Sequence, residues 1–131
     1  MKFTIDRHEK YVVIKPHEKA LDGSSAPKIK SELVAVNTDG QRNIVLDLSE
    51  VEEVDSSGLR SALIAHRLCK NAKGVFIIAR ANYKILDLIE LCKLDETLIC
   101  VPTIIEAEDI IFMEEIEKAL LGEIASEEDE I

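Results

Sequence analysis

The sequence predicts an α/β domain built on a single-layer, mixed but mostly parallel sheet of about five strands with four helices, in the order ββαβαβαβα. Three observations carry this. Compact apolar runs at Ile44–Leu48 and Val75–Ala79 alternate with segments whose apolar residues recur at helical spacing. The run Val75-Phe76-Ile77-Ile78-Ala79 is uninterrupted, as in strands covered on both faces. Two short β-type runs open the chain around a polar turn, so one strand runs against the others.

Each element has its own signal. Lys2–Asp6 and Tyr11–Lys15 read as strands, Arg7–Lys10 as the hairpin turn between them, and Pro16 as the stop. Asp22-Gly23-Ser24-Ser25 is turn and cap chemistry, and Pro27 suits a first helical turn. Ile29, Leu33 and Val36 follow at helical spacing, with the helix ending near Asp39-Gly40. After the strand at Ile44–Leu48, Ser49–Asp55 reads as an acidic loop and Ser56–Asn71 as the second helix. Tyr83–Cys92, with Ile85, Leu88, Ile89 and Cys92, is the third helix, and Leu98–Val101 the last strand. Pro102-Thr103 opens a long helix to about Leu121.

At 131 residues the chain has the length of one domain, and its 47% hydrophobic content can fill a core. Residues 1–121 are read as that domain and 122–131 as an acidic, disordered tail. The charge is uneven. Residues 1–105 hold 15 acidic and 15 basic side chains, whereas residues 106–131 hold 11 acidic residues and Lys118 alone, which accounts for the net charge of −10. A neutral body with an acidic end is unsuited to nucleic acid and to anionic membrane surfaces. No apolar run spans a bilayer, and the first residues lack the apolar stretch of a signal peptide, so the expected location is the cytoplasm. Cys69, Cys92 and Cys100 show no CxxC spacing and are expected to be small buried apolar residues. His8, His17 and His66 match no ligand spacing, so no metal is expected.

In sheets of this kind functional groups gather at the carboxyl ends of strands, where the next helix begins. Here that place is Asp47-Leu48-Ser49 through Val54-Asp55-Ser56-Ser57-Gly58-Leu59. One reading is simply a capped turn, with the Ser56 oxygen accepting an orphan backbone N–H. The same geometry has a second use. A hydroxyl at a helix start is exposed, and the positive end of the helix dipole tolerates an anion. Gly58 would keep a side chain away from an approaching phosphate. A phosphoryl group on Ser56 would add about −1.5 to −2 charge beside Asp55, Glu52 and Glu53 and oppose an acidic or apolar partner.

At this stretch the chain resembles the STAS domain of anti-sigma factor antagonists. The resemblance rests on Asp47-Leu48-Ser49, Val51 and Val54-Asp55-Ser56-Ser57-Gly58-Leu59, with Leu21-Asp22 similar to a Leu-Asp pair of the family, and it extends over roughly residues 3–117. It implies that Ser56 is the phosphoacceptor, with Asp55, Ser57 and Gly58 around it. It also implies a partner kinase of the GHKL type that doubles as an anti-sigma factor. The unphosphorylated form alone would bind that kinase and so free a sigma factor for transcription. Arg60 stands where the family usually has a small residue, and Lys19-Ala20 replaces a glycine common near Leu-Asp. The alternative is a STAS-type adaptor or scaffold subunit, in a transporter-associated or stress-signalling complex, with no sigma-factor role.

The helix phase adds a docking surface. Leu59, Ala62, Leu63, His66 and Cys69 share the face expected on the sheet, which makes His66 a core histidine. Ser56, Arg60, Ile64, Arg67 and Asn71 share the other face. Ile64 between two arginines is a candidate docking patch, so Asp22, Arg60, Ile64 and Arg67 are the expected partner-binding residues. In the last helix, Ile104, Ile111, Phe112, Ile116, Ala119 and Leu120 are expected to cover the sheet. Ile110, Met113, Leu121 and Ile124 extend the apolar surface, which points to a homodimer or a partner groove. No catalytic constellation is evident: Ser56 has no histidine in reach, and there is no GxSxG elbow, P-loop or GxGxxG, so neither enzyme activity nor a cofactor is expected. A receiver domain would need an acidic pair after the first parallel strand, where Val12-Val13-Ile14-Lys15 offers none.

Overall fold

Strands β1 (Phe3–Arg7) and β2 (Val12–Pro16) pair antiparallel, and the turn closes where the His8 N–H donates to the Tyr11 carbonyl at 2.9 Å. In the computed structural model, residues 2–129 are described, with 123–129 described by their backbone alone. After β2 come a two-residue strand β3 (Ala20–Leu21), α1 (Ala26–Thr38), β4 (Ile44–Asp47), a second two-residue strand β5 (Glu53–Val54) and α2 (Ser56–Asn71). The chain continues through β6 (Phe76–Ala79), α3 (Tyr83–Leu91), β7 (Ile99–Val101) and α4 (Ile104–Asp129). The main sheet runs β1-β2-β4-β6-β7, with every pair after the hairpin parallel. This is the predicted mixed sheet of five strands with four helices.

The period-2 alternation of the central strands sorts the core into two clusters. Val12, Ile14, Ile44, Leu46, Phe76 and Ile78 face one way and pack against α1, α2 and α3. Val13, Val45, Ile77 and Ala79 face the other way and meet Ala107 and Ile111 of α4. Three helices therefore cover one face of the sheet, and one helix covers the other.

The structure adds an element that the sequence did not reveal. β3 and β5 form a separate two-stranded parallel ladder, Ala20 opposite Glu53 and Leu21 opposite Val54, which ties what reads as an acidic loop to the segment before Asp22. Two-residue strands have too little hydrophobic pattern to announce themselves, and their pairing joins segments distant in sequence.

Three packing expectations change. The buried stripe of α2 is Gly58, Leu59, Ser61, Ala62, Ala65 and Cys69, rotated from the expected one, so His66 and Leu63 are half-buried at its margin rather than in the core. Burial, together with the nearby Lys70 and Arg67, lowers the His66 pKa. Cys69 is fully buried, Cys100 half-buried and Cys92 exposed, because Cys92 falls at the end of α3, where the helix leaves the body. In α4 only Ala107 and Ile111 are fully buried, with Ile104 and Ile110 packed beside them. Phe112, Ile116, Ala119 and Leu120, expected on the sheet, are exposed. Helical backbone continues to Asp129, past the predicted end near Leu121 and through Gly122, in a stretch where Glu123, Ala125, Glu127 and Glu128 have good helix propensity. The Ile124 side chain and residues 130 and 131 lie outside the described residues.

Candidate functional site

The β3–β5 ladder brings two turns side by side. Because the pair is parallel, the residues after Leu21 and Val54 leave it in the same direction, placing Asp22 next to the Asp55-Ser56 turn. The Asp55 N–H donates to the Leu21 carbonyl at 3.2 Å, and the N–H groups of Glu52 and Glu53 donate to the Lys19 carbonyl at 2.7 and 3.0 Å. Asn82 holds the acidic loop from the other side, its amide donating to the Glu52 carbonyl at 3.0 Å while its oxygen caps α3 at Ile85. Sequence reading missed Asn82 as a loop anchor; an asparagine one residue before a helix was the available signal.

The cap of α2 is Asp55 and not Ser56. Its carboxylate accepts the N–H of Ser57 at 2.8 Å and of Gly58 at 3.2 Å. Ser56 is the first helical residue and is exposed, so its hydroxyl is released from capping and faces solvent. Ser57 is half-buried.

Gly58 also has a different role from the expected one. It is buried, and a Cβ there would lie 2.6 Å from Val54 Cγ1 and 2.7 Å from the Leu21 carbonyl oxygen. The glycine lets the helix start approach the small ladder; it does not clear a path for a phosphate.

Charge at this end is mostly negative. Glu52, Glu53 and Asp55 are exposed, and Asp22 is half-buried. The Asp22 carboxylate accepts the hydroxyl of Ser24 at 2.7 Å and the N–H groups of Ser24 and Ser25 at 2.9 and 3.3 Å. The bonds from Ser24 lead in holding its pKa below the usual carboxylate value. Asp22 thus shapes the entry to α1, and Ser25 reinforces it by donating to the Ala20 carbonyl at 2.7 Å.

Between α1 and α2 runs a cleft of about 180 Å³, lined among others by Pro27, Lys30, Ser57, Arg60 and Ile64. Ser61, at its floor, donates to the Ala26 carbonyl at 3.2 Å and holds the two helices together. Of the expected partner-binding residues, Arg60 and Ile64 meet in this cleft, Ile64 half-buried rather than exposed. Asp22 sits at its mouth next to the lining residue Gly23, and Arg67 is exposed further along α2, outside the lining.

Behind the turn, Asp47 is 3% exposed at the end of β4. Its carboxylate takes both arms of Arg80, at 3.1 and 2.6 Å, and the Ser49 N–H at 3.0 Å. Burial pushes the carboxyl up, but the bonds from Arg80 and Ser49 outweigh it and hold the pKa below the ordinary value. The Asp-Leu-Ser triplet is therefore a fastener between the ends of β4 and β6.

Among the described residues no group of three or more His, Cys, Asp or Glu is placed to hold a metal, and no helix is long and apolar enough to cross a membrane. His17, just past the carboxyl end of β2, links Thr4 with Glu50 in the loop that follows β4.

Comparison with known proteins agrees with this architecture. The chain is 24% identical over 91 residues to BtrV of Bordetella bronchiseptica, assigned as an anti-sigma factor antagonist, covering 70% of this chain and 78% of that protein. A crystal structure from Thermotoga maritima, assigned likewise, superposes with a TM-score of 0.78 at 25% identity, covering 83% of this chain and 93% of the other. The unphosphorylated form of the antagonist SpoIIAA shares the fold, with a TM-score of 0.71 at 20% identity over 84% of this chain and 96% of that one. Its phosphorylated Bacillus form gives 0.65 at 20% identity over 84% and 99%. The STAS domain model matches residues 2–107, from the opening hairpin through the first turn of α4, and the chain belongs to the STAS domain family.

Proposed function

We propose that this protein is an anti-sigma factor antagonist, a cytoplasmic binding module rather than an enzyme, switched by phosphorylation of Ser56. In its unphosphorylated form it binds a GHKL-type serine kinase that is also an anti-sigma factor, so that a sigma factor is released. The observation that carries this reading is the exposed Ser56 hydroxyl at the first position of α2, with its neighbour Asp55 already committed to the cap. SpoIIAA, which shares the fold, is known in both phosphorylated and unphosphorylated forms.

The mechanism is electrostatic. Ser56 opens onto a surface where Asp55, Glu52 and Glu53 are exposed and where Arg60 lies one helical turn away. The unmodified surface offers a hydroxyl, Arg60 and the half-buried Ile64 to a partner. A phosphoryl group would add about −1.5 to −2 charge, attract Arg60 and repel the partner's acidic groups. A loss of ~3–4 kcal/mol would weaken binding a few hundredfold. Residues 1–121 are the binding domain in this reading, and 122–131 are an acidic extension of it. A homodimer, the other association expected from sequence, would use α4 and not this end.

The test replaces Ser56 by Ala and by Asp and measures binding to the GHKL kinase from the same cell, alongside labelling of wild type with that kinase and ATP. We expect Ser56→Ala to bind and resist labelling, and Ser56→Asp to lose binding. Two variants that both bind like wild type would end the proposal. Absence of labelling by every GHKL kinase of the cell would favour the adaptor or scaffold reading.

A further inference from the structure

The inward face of α4 changes character along its length. Ala107 and Ile111 are fully buried on the sheet, but the next inward position is Glu115. Its carboxylate takes Arg42 Nε at 3.1 Å, Arg42 Nη2 at 2.5 Å and Asn43 Nδ2 at 2.7 Å. These bonds fix the rotation of the helix. Turning it to bury more apolar surface would break the Glu115 contacts and lift Ile111 from the sheet.

The rotation leaves an apolar stripe outward. Phe112, Met113, Ile116 and Leu120 are 41%, 66%, 56% and 54% exposed. At about 100° per residue they form one continuous band beside the inward face. Glu117 flanks the band beside Met113, and Asp109 lies in line with it at its start; both are exposed. The one basic residue of this helix, Lys118, is half-buried, with its Nζ enclosed. The outward side of α4 itself is therefore apolar and anionic, and the cations nearest the helix, Arg42 and Lys73, sit by Lys118.

That charge selects the occupant. A second copy of this chain would set acidic borders against acidic borders, and like charges facing each other across an interface oppose association. We propose that the outer face of α4 docks a basic amphipathic helix of a protein partner, its apolar side on Phe112, Met113, Ile116 and Leu120 and its Lys or Arg residues on the acidic borders. Recognition by helical anchors at this spacing, with charge complementarity at the rim, is an established mode of peptide binding. The site lies on the sheet face opposite α1, α2 and α3, so it works independently of the Ser56 end.

The probe is a fluorescent helical peptide with Leu along one side and Lys along the other, titrated into the full chain, with a Leu/Glu peptide of the same pattern as control. We expect saturable binding of the Leu/Lys peptide that weakens with salt, and about tenfold or greater loss in the Ile116→Ser, Leu120→Ser double variant. Ile116→Leu should retain binding, and so should Ser56→Asp, which separates this site from the switch. Equal binding of the Leu/Glu peptide, or wild-type binding by the double variant, overturns the proposal. So does a concentration-dependent dimer that the double variant abolishes in sedimentation.

Discussion

The Asp55 carboxylate accepts the Ser57 N–H at 2.8 Å, which makes the aspartate the cap of α2 and leaves Ser56 as its first residue. The two residues divide the labour of the turn: one closes the helix and the other remains available. Removing a capping carboxylate costs about 1 kcal/mol. Asp55→Ala should lower the urea midpoint by a corresponding amount, with Asp55→Asn close to wild type. Equal midpoints for all three chains would contradict the cap.

Gly58 should tolerate no side chain. A Cβ would sit 2.6 Å from Val54 Cγ1 and 2.7 Å from the Leu21 carbonyl, so Gly58→Ala must push the helix start off the small ladder. The expected cost is about 1–3 kcal/mol. Gly23→Ala is the control, because nothing lies within 4 Å of its added Cβ. Thermal melts should show a clear drop for the first and little change for the second.

Asp47 makes stability depend on acid. Its pKa in the folded chain is lowered despite burial, through the bonds from Arg80 and Ser49. A carboxyl lowered on folding contributes stability that is fully present above its unfolded value of about 3.9 and is lost as pH falls through the folded value. Asp47→Asn should weaken the fold at neutral pH and flatten the decline in stability below about pH 4. Chemical denaturation across that range gives the answer, and parallel curves for the two chains would remove Asp47 from the account.

The cysteines should react in order of exposure. Cys92 is exposed, whereas burial pushes the Cys69 thiol up to about 12 and raises that of the half-buried Cys100. A thiol reagent at mildly alkaline pH should label Cys92 first and Cys69 only on unfolding. Labelling of Cys69 in the native chain at the rate of Cys92 would refute its burial.

Much of the architecture was legible because apolar period and turn chemistry are local properties. Val75–Ala79 reads as a strand from its own composition, and Ser56–Asn71 as a helix from its spacing and its start. The ladder between Ala20-Leu21 and Glu53-Val54 was not legible, because each strand has two residues and the bond is between distant segments. Helix phase was legible only to within one position. Ser61 and Ala65 are small enough to lie at the contact between α1, α2 and the sheet, which displaced His66 to the margin.

The sequence by itself determined the order of the main-sheet strands and the helices, the mixed sheet and the turn where Ser56 lies, since each follows from residues close together in the chain. The tertiary structure decided what those residues do. It made Asp55 the cap, turned Gly58 inward against Leu21, and locked α4 through Glu115 and Arg42 so that its apolar band faces out. The physical reason is distance along the chain: contacts such as Gly58 with Leu21 or Arg42 with Glu115 join segments whose meeting no local pattern encodes, and burial, charge pairing and helix rotation are settled only when they meet.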